Sequence, residues 1–541
     1  MAETTSADKS KYKLTPQAKL IMGTAVLASL LEIIDSSIVN VAIPSMMGNL
    51  GATLEDISWV VTGYIIANAI VLPIASWLGS QIGRRKYYIS AILVFTATSV
   101  ACGLAPNLST LIAFRILQGL AGGALLPTSQ ALLQEQFPRE LAGTASAIYG
   151  MSVMIGPTLG PTLGGYLTDH FGWRSIFNIN LPLGLLAAVL AYSYVTNHSP
   201  KLTPTGPVHD MSDDDEKNST PKKASKIDGV GLGLLAAGIG CLQFVLERGQ
   251  ADYWFESKAI IACTIIATVS LPAFVWWELT VAEPVINLRL FKNSVVRIGT
   301  FLMSMLGFML YGVVFVLPIF MTRVLHFDAT QTGMMFIPGA MVTALSMPFI
   351  GKALVKTDPR FLILAGILVI DCMLMMMTHF SSMTGHQQVF WSLIVRGIGM
   401  GFLFVPINAV VLGQFRGAEL GQVAGLMNLL RQMGGSIGIA LIATLLERGT
   451  HQNAYDLASH VSVLNPGTQL SLSQMGVKNL SAIPERVRGL LSLRLDQQVY
   501  LMSFTQMIWY ILLIFTLALI PLYFLKRPKG PASAESAMEM H

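Results

Sequence analysis

Two acidic residues stand in the first apolar stretch of the chain, where charged groups are costly to bury. The segment LLEIIDSSIVN places Glu32 and Asp35 three positions apart, so a helix presents both carboxyl groups on one face. Asn40 follows in the same stretch, and Arg115 lies in a later one. Loss of water favours the protonated form of a carboxylic acid, whereas a nearby guanidinium favours the ionised form. These residues therefore predict a site that takes up and releases protons.

The same residues allow a simpler interpretation, in which Asp35 and Arg115 form a permanent structural ion pair. Asp371 is the lone acid of the stretch GILVIDCMLMMM. It is either a second proton or substrate site, or it merely lines a hydrated gap between helices.

No histidine falls at the centre of an apolar stretch, so carboxylates are the predicted proton carriers. The chain lacks a P-loop, an HExxH motif, a nucleophile elbow and a CxxC pair, which argues against ATP use, hydrolysis and a metal site.

The elements that position these residues are long apolar segments. The chain has 541 residues, of which 53% are hydrophobic and only 12% are charged, and its mean hydropathy is +0.60. This composition predicts an all-α integral membrane protein, because a spanning helix needs about 20 mostly apolar residues. Fourteen such segments are predicted, at 20–41, 58–79, 87–105, 109–133, 141–168, 178–197, 228–246, 258–279, 297–322, 332–351, 361–380, 388–413, 421–446 and 499–525.

The distribution of lysine and arginine predicts the orientation of these spans. With the N-terminus inside, most of these residues fall in cytoplasmic segments, which places both termini in the cytoplasm. The first span lacks a clean cleavage site and is interpreted as an uncleaved signal-anchor. The formal net charge of +5 is ordinary for such a protein and indicates no nucleic-acid partner.

An internal repeat divides the chain into two halves of the same orientation. LLPTSQALLQEQFPRELAG (125–143) aligns with LFVPINAVVLGQFRGAELGQ (403–422), and Arg115 and Arg396 fall within two residues of the same register. Duplication of this kind is typical of two parallel six-helix bundles, with two helices left over for the linker. The predicted organisation is an N-tail (1–19), a first bundle (20–197), a linker (198–227), two extra helices (228–279), a second bundle (297–525) with a long external loop (447–498), and a C-tail (526–541).

The stretch GPTLGPTLGG (156–165) is unusually rich in residues that disfavour a helix. Glycines recur every four positions and form a thin stripe, beside which prolines recur with the same period. Plain close packing of a neighbouring helix explains the stripe, and the doubled Gly-Pro pattern favours a shaped hinge. The residues assigned to this hinge motif are Gly156, Pro157, Gly160, Pro161, Gly164 and Gly165.

Methionines of the later spans are candidates for an adaptable substrate cavity. Met303 and Met309 are singled out, because thioether side chains can repack around varied ligands. The alternative is that they simply belong to the core or face lipid.

Several motifs taken together resemble the major facilitator superfamily, and specifically the fourteen-helix drug:proton antiporters of the EmrB and QacA type. DSSIVNVAIP (35–44) resembles the helix-1 signature of that family, LIAFRILQGLAGG (111–123) its helix-4 motif, and GPTLGPTLGG its helix-5 antiporter motif. WRSIFNINLPLG, CLQFVLERGQADYWF and HQNAYDLASHVSVLNP are similar to the EmrB branch. The resemblance covers almost the whole chain.

The resemblance implies a transporter that exports drugs or other amphipathic, lipophilic compounds in exchange for protons, with the proton gradient in place of a cofactor. By this resemblance Asp35 and Arg115 couple protons, and the helix-5 motif lies between the halves; Asn40 and Gln118 are further substrate-cavity candidates. The family also implies a bacterial inner-membrane location, a periplasmic membrane-fusion adaptor and an outer-membrane channel. The alternative within the family is export of one dedicated metabolite, such as a fatty acid, a siderophore or a toxin.

The loop after the second span departs from the family pattern. SWLGSQIGRR (76–85) retains Gly83, Arg84 and Arg85 but has Ser80 where the family has an acidic residue. The charge interaction by which this loop stabilises the outward-facing state in the family therefore lacks its usual acid here.

Overall fold

The computed structural model describes residues 16–137, 141–195, 228–281, 284–460 and 485–524, and within these ranges it contains helices and turns but no strands. The N-tail, most of the linker, the middle of the predicted external loop and the C-tail lie outside the described residues. The α-helices are α1 (Pro16–Leu50), α2 (Leu54–Val71), α3 (Ala75–Ile82), α4 (Arg84–Gly103), α5 (Leu108–Gly122), α6 (Leu125–Glu135), α7 (Ala142–Phe171), α8 (Ser175–Asn178), α9 (Asn180–Tyr194), α10 (Gly229–Arg248), α11 (Lys258–Thr280), α12 (Ser294–Arg323), α13 (Ala329–Ala353), α14 (Pro359–Thr378), α15 (His386–Leu412), α16 (Gly417–His460), α17 (Glu485–Thr516) and α18 (Leu519–Tyr523). Two short 3₁₀ segments, Trp254–Glu256 and Leu288–Lys292, connect them.

The chain is an all-α, multi-pass membrane protein. In the described residues twelve helical spans are long and apolar enough to cross a bilayer, and the bent pair α2 and α3 makes thirteen. The predicted fifth span corresponds to α7, which is not among these thirteen. Helix α7 has 30 residues, but its glycines and prolines lower its mean hydropathy. Every predicted span therefore coincides with a helix, although the count of fourteen depends on α7.

Two predicted spans are interrupted. The segment predicted at 58–79 breaks between α2 and α3, which meet at an angle of 62°. Pro73 stands at the break, where a residue without a backbone N–H cannot continue the hydrogen-bond ladder. The segment predicted at 109–133 divides into α5 and α6 at Gly122 and Gly123, because paired glycines weaken a helix.

The packing of the helices repeats in the two halves. In the first half (α1–α9), α1 packs on α7, α2 on α5, and α4 on both α5 and α9. In the second half (α12–α18), α12 packs on α16, α13 on α15, and α14 on both α15 and α17. The duplication seen in the sequence is thus also a duplication of helix contacts.

The two halves meet at the end of the bundle where α1 begins, which we call the base. There α7 packs against α13 and α15, and α16 packs against α3 and α6. Ser76 donates to the carbonyl oxygen of Ala418 at 3.1 Å, and a side chain added at Gly143 would meet the carbonyl oxygen of Gly351 at 3.0 Å. The opposite end, where α1 finishes, is called the top.

The extra pair of helices, α10 and α11, pack on each other, and α10 also contacts α2 of the first half and α16 of the second. On the first half, Phe244 stacks on Trp59 with ring centroids 5.5 Å apart. On the second, Gln243 Nε2 donates to Ser436 Oγ at 2.6 Å. The extra helices therefore adjoin both halves near the top.

The long segment predicted as an external loop from residue 447 is partly helical instead. Helix α16 runs for 44 residues to His460, and α17 begins at Glu485 and runs for 32. At about 1.5 Å per residue, α16 is roughly twice as long as the hydrocarbon core is thick. Both helices therefore extend beyond their membrane-spanning parts. For α17 the helical spacing of apolar residues in VRGLLSLRL predicts this extension. The two helices are joined where Asn453 Nδ2 donates to Ser503 Oγ at 2.9 Å.

Candidate functional site

Asp35 and Arg115 form a fully buried ion pair inside the first half. Arg115 Nη1 lies 2.6 Å from Asp35 Oδ2, and both side chains have no exposed surface. The pair joins α1 to α5, the two helices on which the sequence places these charges. The predicted proximity of this acid and this base is therefore present in the structure.

Asp35 accepts hydrogen bonds from two further side chains besides Arg115. Its Oδ1 accepts from Gln118 Nε2 at 2.9 Å and from Asn180 Nδ2 at 2.7 Å. Asn180 also donates to Ser99 Oγ at 2.9 Å, so α1, α4, α5 and α9 all meet at this carboxylate. An ionised carboxylate only accepts hydrogen bonds, and all three of these partners are donors. Asp35 is therefore the point at which four helices of the first half are tied together.

Arg115 has further partners that fix its position. Its Nε donates to the carbonyl oxygen of Val60 at 3.1 Å and its Nη1 to Gln118 Oε1 at 2.8 Å. The guanidinium carbon lies 4.1 Å from the ring centre of Tyr64, within cation–π range. Its Nη2 is buried without a partner among the described residues, so this side chain keeps one donor available.

Glu32 lies on the same face of α1 but is much less constrained. It is 4% exposed, and its Oε1 accepts from Asn68 Nδ2 at 3.0 Å, while Oε2 is buried without a partner among the described residues. Arg431 of the second half is within electrostatic range of Glu32 but not within 4.0 Å. Glu32 therefore faces the seam between the halves.

A cluster of buried amides crosses this seam. Gln130 of α6 donates to Asn408 Oδ1 of α15 and accepts from Asn428 Nδ2 of α16, both at 2.6 Å. Tyr149 of α7 donates to Asn428 Oδ1 at 3.2 Å. All four side chains are at most 3% exposed. The halves are therefore joined here by hydrogen bonds that are shielded from solvent. We call these four residues the amide cluster.

The second half has two further arginines inside its spans, of which Arg431 is buried and Arg396 is partly buried. Arg431 Nη2 donates to Asn428 Oδ1 at 3.1 Å, and its Nη1 donates to Tyr311 Oη at 3.2 Å. Arg396 Nη2 donates to the carbonyl oxygen of Leu310 at 3.1 Å. Within the described part of the chain, no carboxylate lies within 4.0 Å of either guanidinium.

The glycine stripe of α7 packs on α1, within the first half. Side chains added at Gly156, Gly160 and Gly164 would collide with Ile33, Ser37 and Ile38, respectively, on α1. These three glycines therefore contact a helix of their own half, and the expectation that the whole motif lies between the halves stays a prediction. Helix α7 does contact the second half, but through Gly143 and Gly150 nearer the base.

The remaining residues of the motif lie along the same unbroken helix. Pro157 and Pro161 are inside α7, which runs continuously from Ala142 to Phe171, and neither is deeply buried. A side chain at Gly165 would reach only Val41, at 3.9 Å. The close packing predicted from the stripe is thus present, whereas the hinge stays a prediction.

The loop residues at the base use a different acid from the one the family pattern provides. Arg84 Nη1 contacts Glu135 Oε2 and Oε1 at 2.6 and 2.8 Å. Arg85 Nη2 donates to the carbonyl oxygen of Tyr192 at 2.5 Å. Gly83 has φ of +92°, a value that favours glycine between α3 and α4. Glu135, which the sequence reasoning did not select, is the anion here.

A cavity of about 290 Å³ adjoins this loop at the base. It lies between the halves, and Ser80 and Arg84 line it together with Thr128 of α6 and Gly417 and Gly421 of α16. Ser80 Oγ donates to the carbonyl oxygen of Trp77 at 2.7 Å, so the serine takes no part in an ion pair.

The other predicted site residues lie apart from the buried pair. Met303 and Met309 are 2% and 1% exposed and pack in the hydrophobic core, which agrees with the alternative of a core role. Asn40 is on the exposed surface of α1. Asp371 is half-buried and accepts from Thr516 Oγ1 at 3.3 Å. It lies on α14, whose main contacts are with α15, α17 and α18 of the same half.

Sequence reasoning missed Asn180 and the amide cluster. Amides carry no charge and do not stand out in an apolar stretch, so only their positions in space reveal them. The repeat did hold a signal, because Gln130 and Asn408 differ by the offset of 278 that relates the two halves.

Comparisons with known proteins agree with this architecture. A sequence model of the Major Facilitator Superfamily matches residues 25–439. The chain is 30% identical over 516 residues to the multidrug export protein EmrB of Escherichia coli (strain K12), covering 95% of this chain and 96% of that one. It is 32% identical to the fatty acid resistance protein FarB of Neisseria gonorrhoeae, with 93% and 94% covered. A solved structure of the proton:xylose symporter XylE superposes with a TM-score of 0.57 at 13% identity, covering 98% of this chain and all of that one.

Proposed function

Because the chain belongs to the major facilitator superfamily, in its EmrB-type branch, we propose that it is a proton-coupled antiporter that exports amphipathic, lipophilic compounds. Members of this superfamily are transporters and not enzymes. The cargo, the coupling to protons and the direction of transport are the parts that we propose. Similarity to proteins named for multidrug export and fatty acid resistance supports this cargo class.

The buried Asp35–Arg115 pair is the observation that supports proton coupling. An acid held without water in the middle of a membrane protein is costly, and such residues commonly mark proton pathways. In the proposed cycle a proton from outside neutralises Asp35 and frees Arg115. The proton is released to the cytoplasm when the halves rock, and cargo then binds before the return step.

Reconstituted protein tests the proposal directly. Proteoliposomes with an imposed pH gradient are exposed to lipophilic cations, bile salts and fatty acids, while a pH-sensitive dye reports proton flux. We expect at least one compound class to move against its gradient while protons move the other way. Uphill transport that persists after an ionophore collapses the pH gradient contradicts the proton-coupled mechanism.

We further propose that both termini face the cytoplasm and that the protein lies in a bacterial inner membrane. The excess of Lys and Arg on the side of the N-terminus supports this orientation. Single cysteines introduced at the two ends of a cysteine-free variant should react with a membrane-impermeant maleimide only after the cells are opened.

The projecting ends of α16 and α17 support a role as the inner-membrane component of a tripartite pump. These helices extend past the membrane on the side opposite the termini, where a periplasmic membrane-fusion adaptor and an outer-membrane channel would be reached. Replacing 461–484 with a short Gly-Ser linker should abolish resistance in cells but leave exchange in vesicles intact. Loss of exchange in vesicles contradicts a docking role for this segment.

A second candidate is export of one dedicated metabolite, such as a fatty acid, a siderophore or a toxin. Similarity to a protein named for fatty acid resistance favours it. Competition separates the two candidates, because a polyspecific exporter shows mutual inhibition among unrelated compounds and a dedicated one does not.

A further inference from the structure

The cavity of about 290 Å³ at the base has no role in the proposed cycle of protons and cargo. Its volume is far larger than the roughly 30 Å³ that a water molecule occupies in the liquid, so it has room for a small ion or molecule. Its walls come from α3, α4 and α6 of the first half and from α16 of the second. A ligand that fills it therefore contacts both halves at once.

Two residues that line this cavity have hydroxyl groups without a hydrogen-bond partner in the described part of the chain. Thr128 of α6 is 7% exposed and Tyr87 of α4 is 8% exposed. The next residues along the same two helices, Tyr88 and Ser129, bond to each other at 2.6 Å. Native proteins pair most of their buried polar groups, because an unpaired one is costly. The hydroxyl groups of Thr128 and Tyr87 are thus available to a ligand.

Arg84 supplies a charged donor to the same cavity. Its Nη1 is bound to the two carboxylate oxygens of Glu135 at 2.6 and 2.8 Å. Its Nε, however, is buried without a partner among the described residues. Arg84 is the only charged side chain among the residues that line the cavity, and the lining includes no aspartate or glutamate. An anion in the cavity therefore meets a guanidinium and no lining carboxylate.

The first turn of α16 forms the wall on the side of the second half. Gly417, Ala418 and Gly421 line the cavity there. The first N–H groups of a helix have no acceptor within the helix, and together with the helix dipole they favour an anion. Ser76 of α3 donates to the carbonyl oxygen of Ala418 at 3.1 Å, which holds this turn against the first half.

We propose that the cavity binds a small oxyanion such as phosphate, either free in solution or as the headgroup of an anionic lipid, and that the bound ion holds the two halves together at the base. Arg84 Nε and the hydroxyl groups of Thr128 and Tyr87 are its donors. An oxyanion suits this set because it offers several acceptor oxygens, and hydrogen bonds to an ionised acceptor are the stronger ones. Opening of the base would move α16 away from α4 and α6, so the ion binds the closed arrangement and stabilises it.

Calorimetric titration with inorganic phosphate tests the site without any gradient. The full-length protein is held in nanodiscs of phosphatidylcholine, and sodium chloride of the same ionic strength is the blank. Thr128→Val and Tyr87→Phe each remove one hydroxyl group with little change of shape. The matched controls are Thr322→Val on α12 and Tyr166→Phe on α7, which alter exposed residues near the top.

We expect the parent to bind phosphate and both controls to bind it equally well. Thr128→Val and Tyr87→Phe should each weaken binding by about tenfold, because a hydrogen bond to a charged group is worth roughly that factor. If one of the two variants does not yield monodisperse protein, the other decides. Phosphate binding that both variants leave unchanged overturns the assignment of the donors.

Hydrogen–deuterium exchange tests whether the ion joins the halves. Phosphate should slow deuterium uptake in residues 76–87 of the first half and in residues 417–421 of the second, and Thr128→Val should reduce both effects at the same phosphate concentration. Phosphate binding that leaves uptake at 417–421 unchanged contradicts a link between the halves.

Nanodiscs that contain phosphatidylglycerol distinguish the two sources of the anion. A lipid headgroup in the cavity should weaken the binding of added phosphate and should slow uptake in both segments without phosphate, and Thr128→Val should lose that protection. If the free ion is the ligand, the anionic lipid has neither effect. The proposal is wrong if phosphate does not bind in phosphatidylcholine and phosphatidylglycerol protects neither segment. None of these results depends on exchange in proteoliposomes, so this proposal and the proposed export function can fail separately.

Discussion

The two halves place an arginine at corresponding positions but treat its charge differently. In the first half, Arg115 forms a 2.6 Å ion pair with Asp35. In the second, Arg396 donates to a backbone carbonyl and has no carboxylate within 4.0 Å among the described residues. The helix packing is thus similar in the two halves, whereas an arginine paired with a buried acid is present only in the first half among the described residues.

The sequence shows the same contrast. Helix α12 occupies the place of α1 in the packing of the second half, and its residues Ser294–Arg323 include no Asp or Glu. Helix α12 therefore has no carboxylate that could neutralise a guanidinium as Asp35 does in α1.

Breaking the first-half pair should have the largest effect. Asp35→Asn removes the titrating group and leaves Arg115 buried without a counter-ion, which typically costs about 3–5 kcal/mol in stability. We expect proton-coupled exchange in proteoliposomes to fall by roughly 5- to 150-fold, the span of ordinary coupling energies. The remaining rate should no longer respond to pH.

A double variant separates stability from coupling. Asp35→Asn combined with Arg115→Gln removes both charges, so thermal stability should largely recover while exchange stays low. Exchange by Asp35→Asn at the parental rate, with the parental pH dependence, would assign the pair a purely structural role.

The sequence predicted the ion pair because charges are conspicuous in apolar stretches. It also predicted a helix at every span, since length and hydropathy determine them, but not the breaks after α2 and α5. It could not predict that Asn180 reaches Asp35, or that Glu135 replaces the acid missing at Ser80, because those contacts join residues far apart in the chain. The glycine stripe shows the same limit: its period predicted a close neighbour, but only the packing identified that neighbour as α1.

The glycine stripe gives the second prediction, of intermediate size. Gly160→Ala places a methyl group against Ser37, two residues from Asp35, whereas Gly165→Ala meets nothing closer than Val41 at 3.9 Å. Overpacking of this kind costs about 1–3 kcal/mol. Gly160→Ala should therefore lower the thermal-unfolding midpoint and slow exchange, and the matched Gly165→Ala should do neither. Equal midpoints for the two variants would show that α1 and α7 are loosely packed.

Asp371, the lone acid of the apolar stretch GILVIDCMLMMM, should give the smallest effect and tests the comparison of the halves most sharply. Asp371 accepts one hydrogen bond, from Thr516, and sits on α14, which packs on helices of its own half. Because no cation among the described residues forms an ion pair with it, Asp371→Asn should change stability by less than about 0.5 kcal/mol. The rate and the pH dependence of exchange should both stay close to the parental values. The same liposome assay used for Asp35→Asn measures this. A loss of pH dependence in Asp371→Asn would mean that both halves carry protons, and the proposal that only the first half does so would then be wrong.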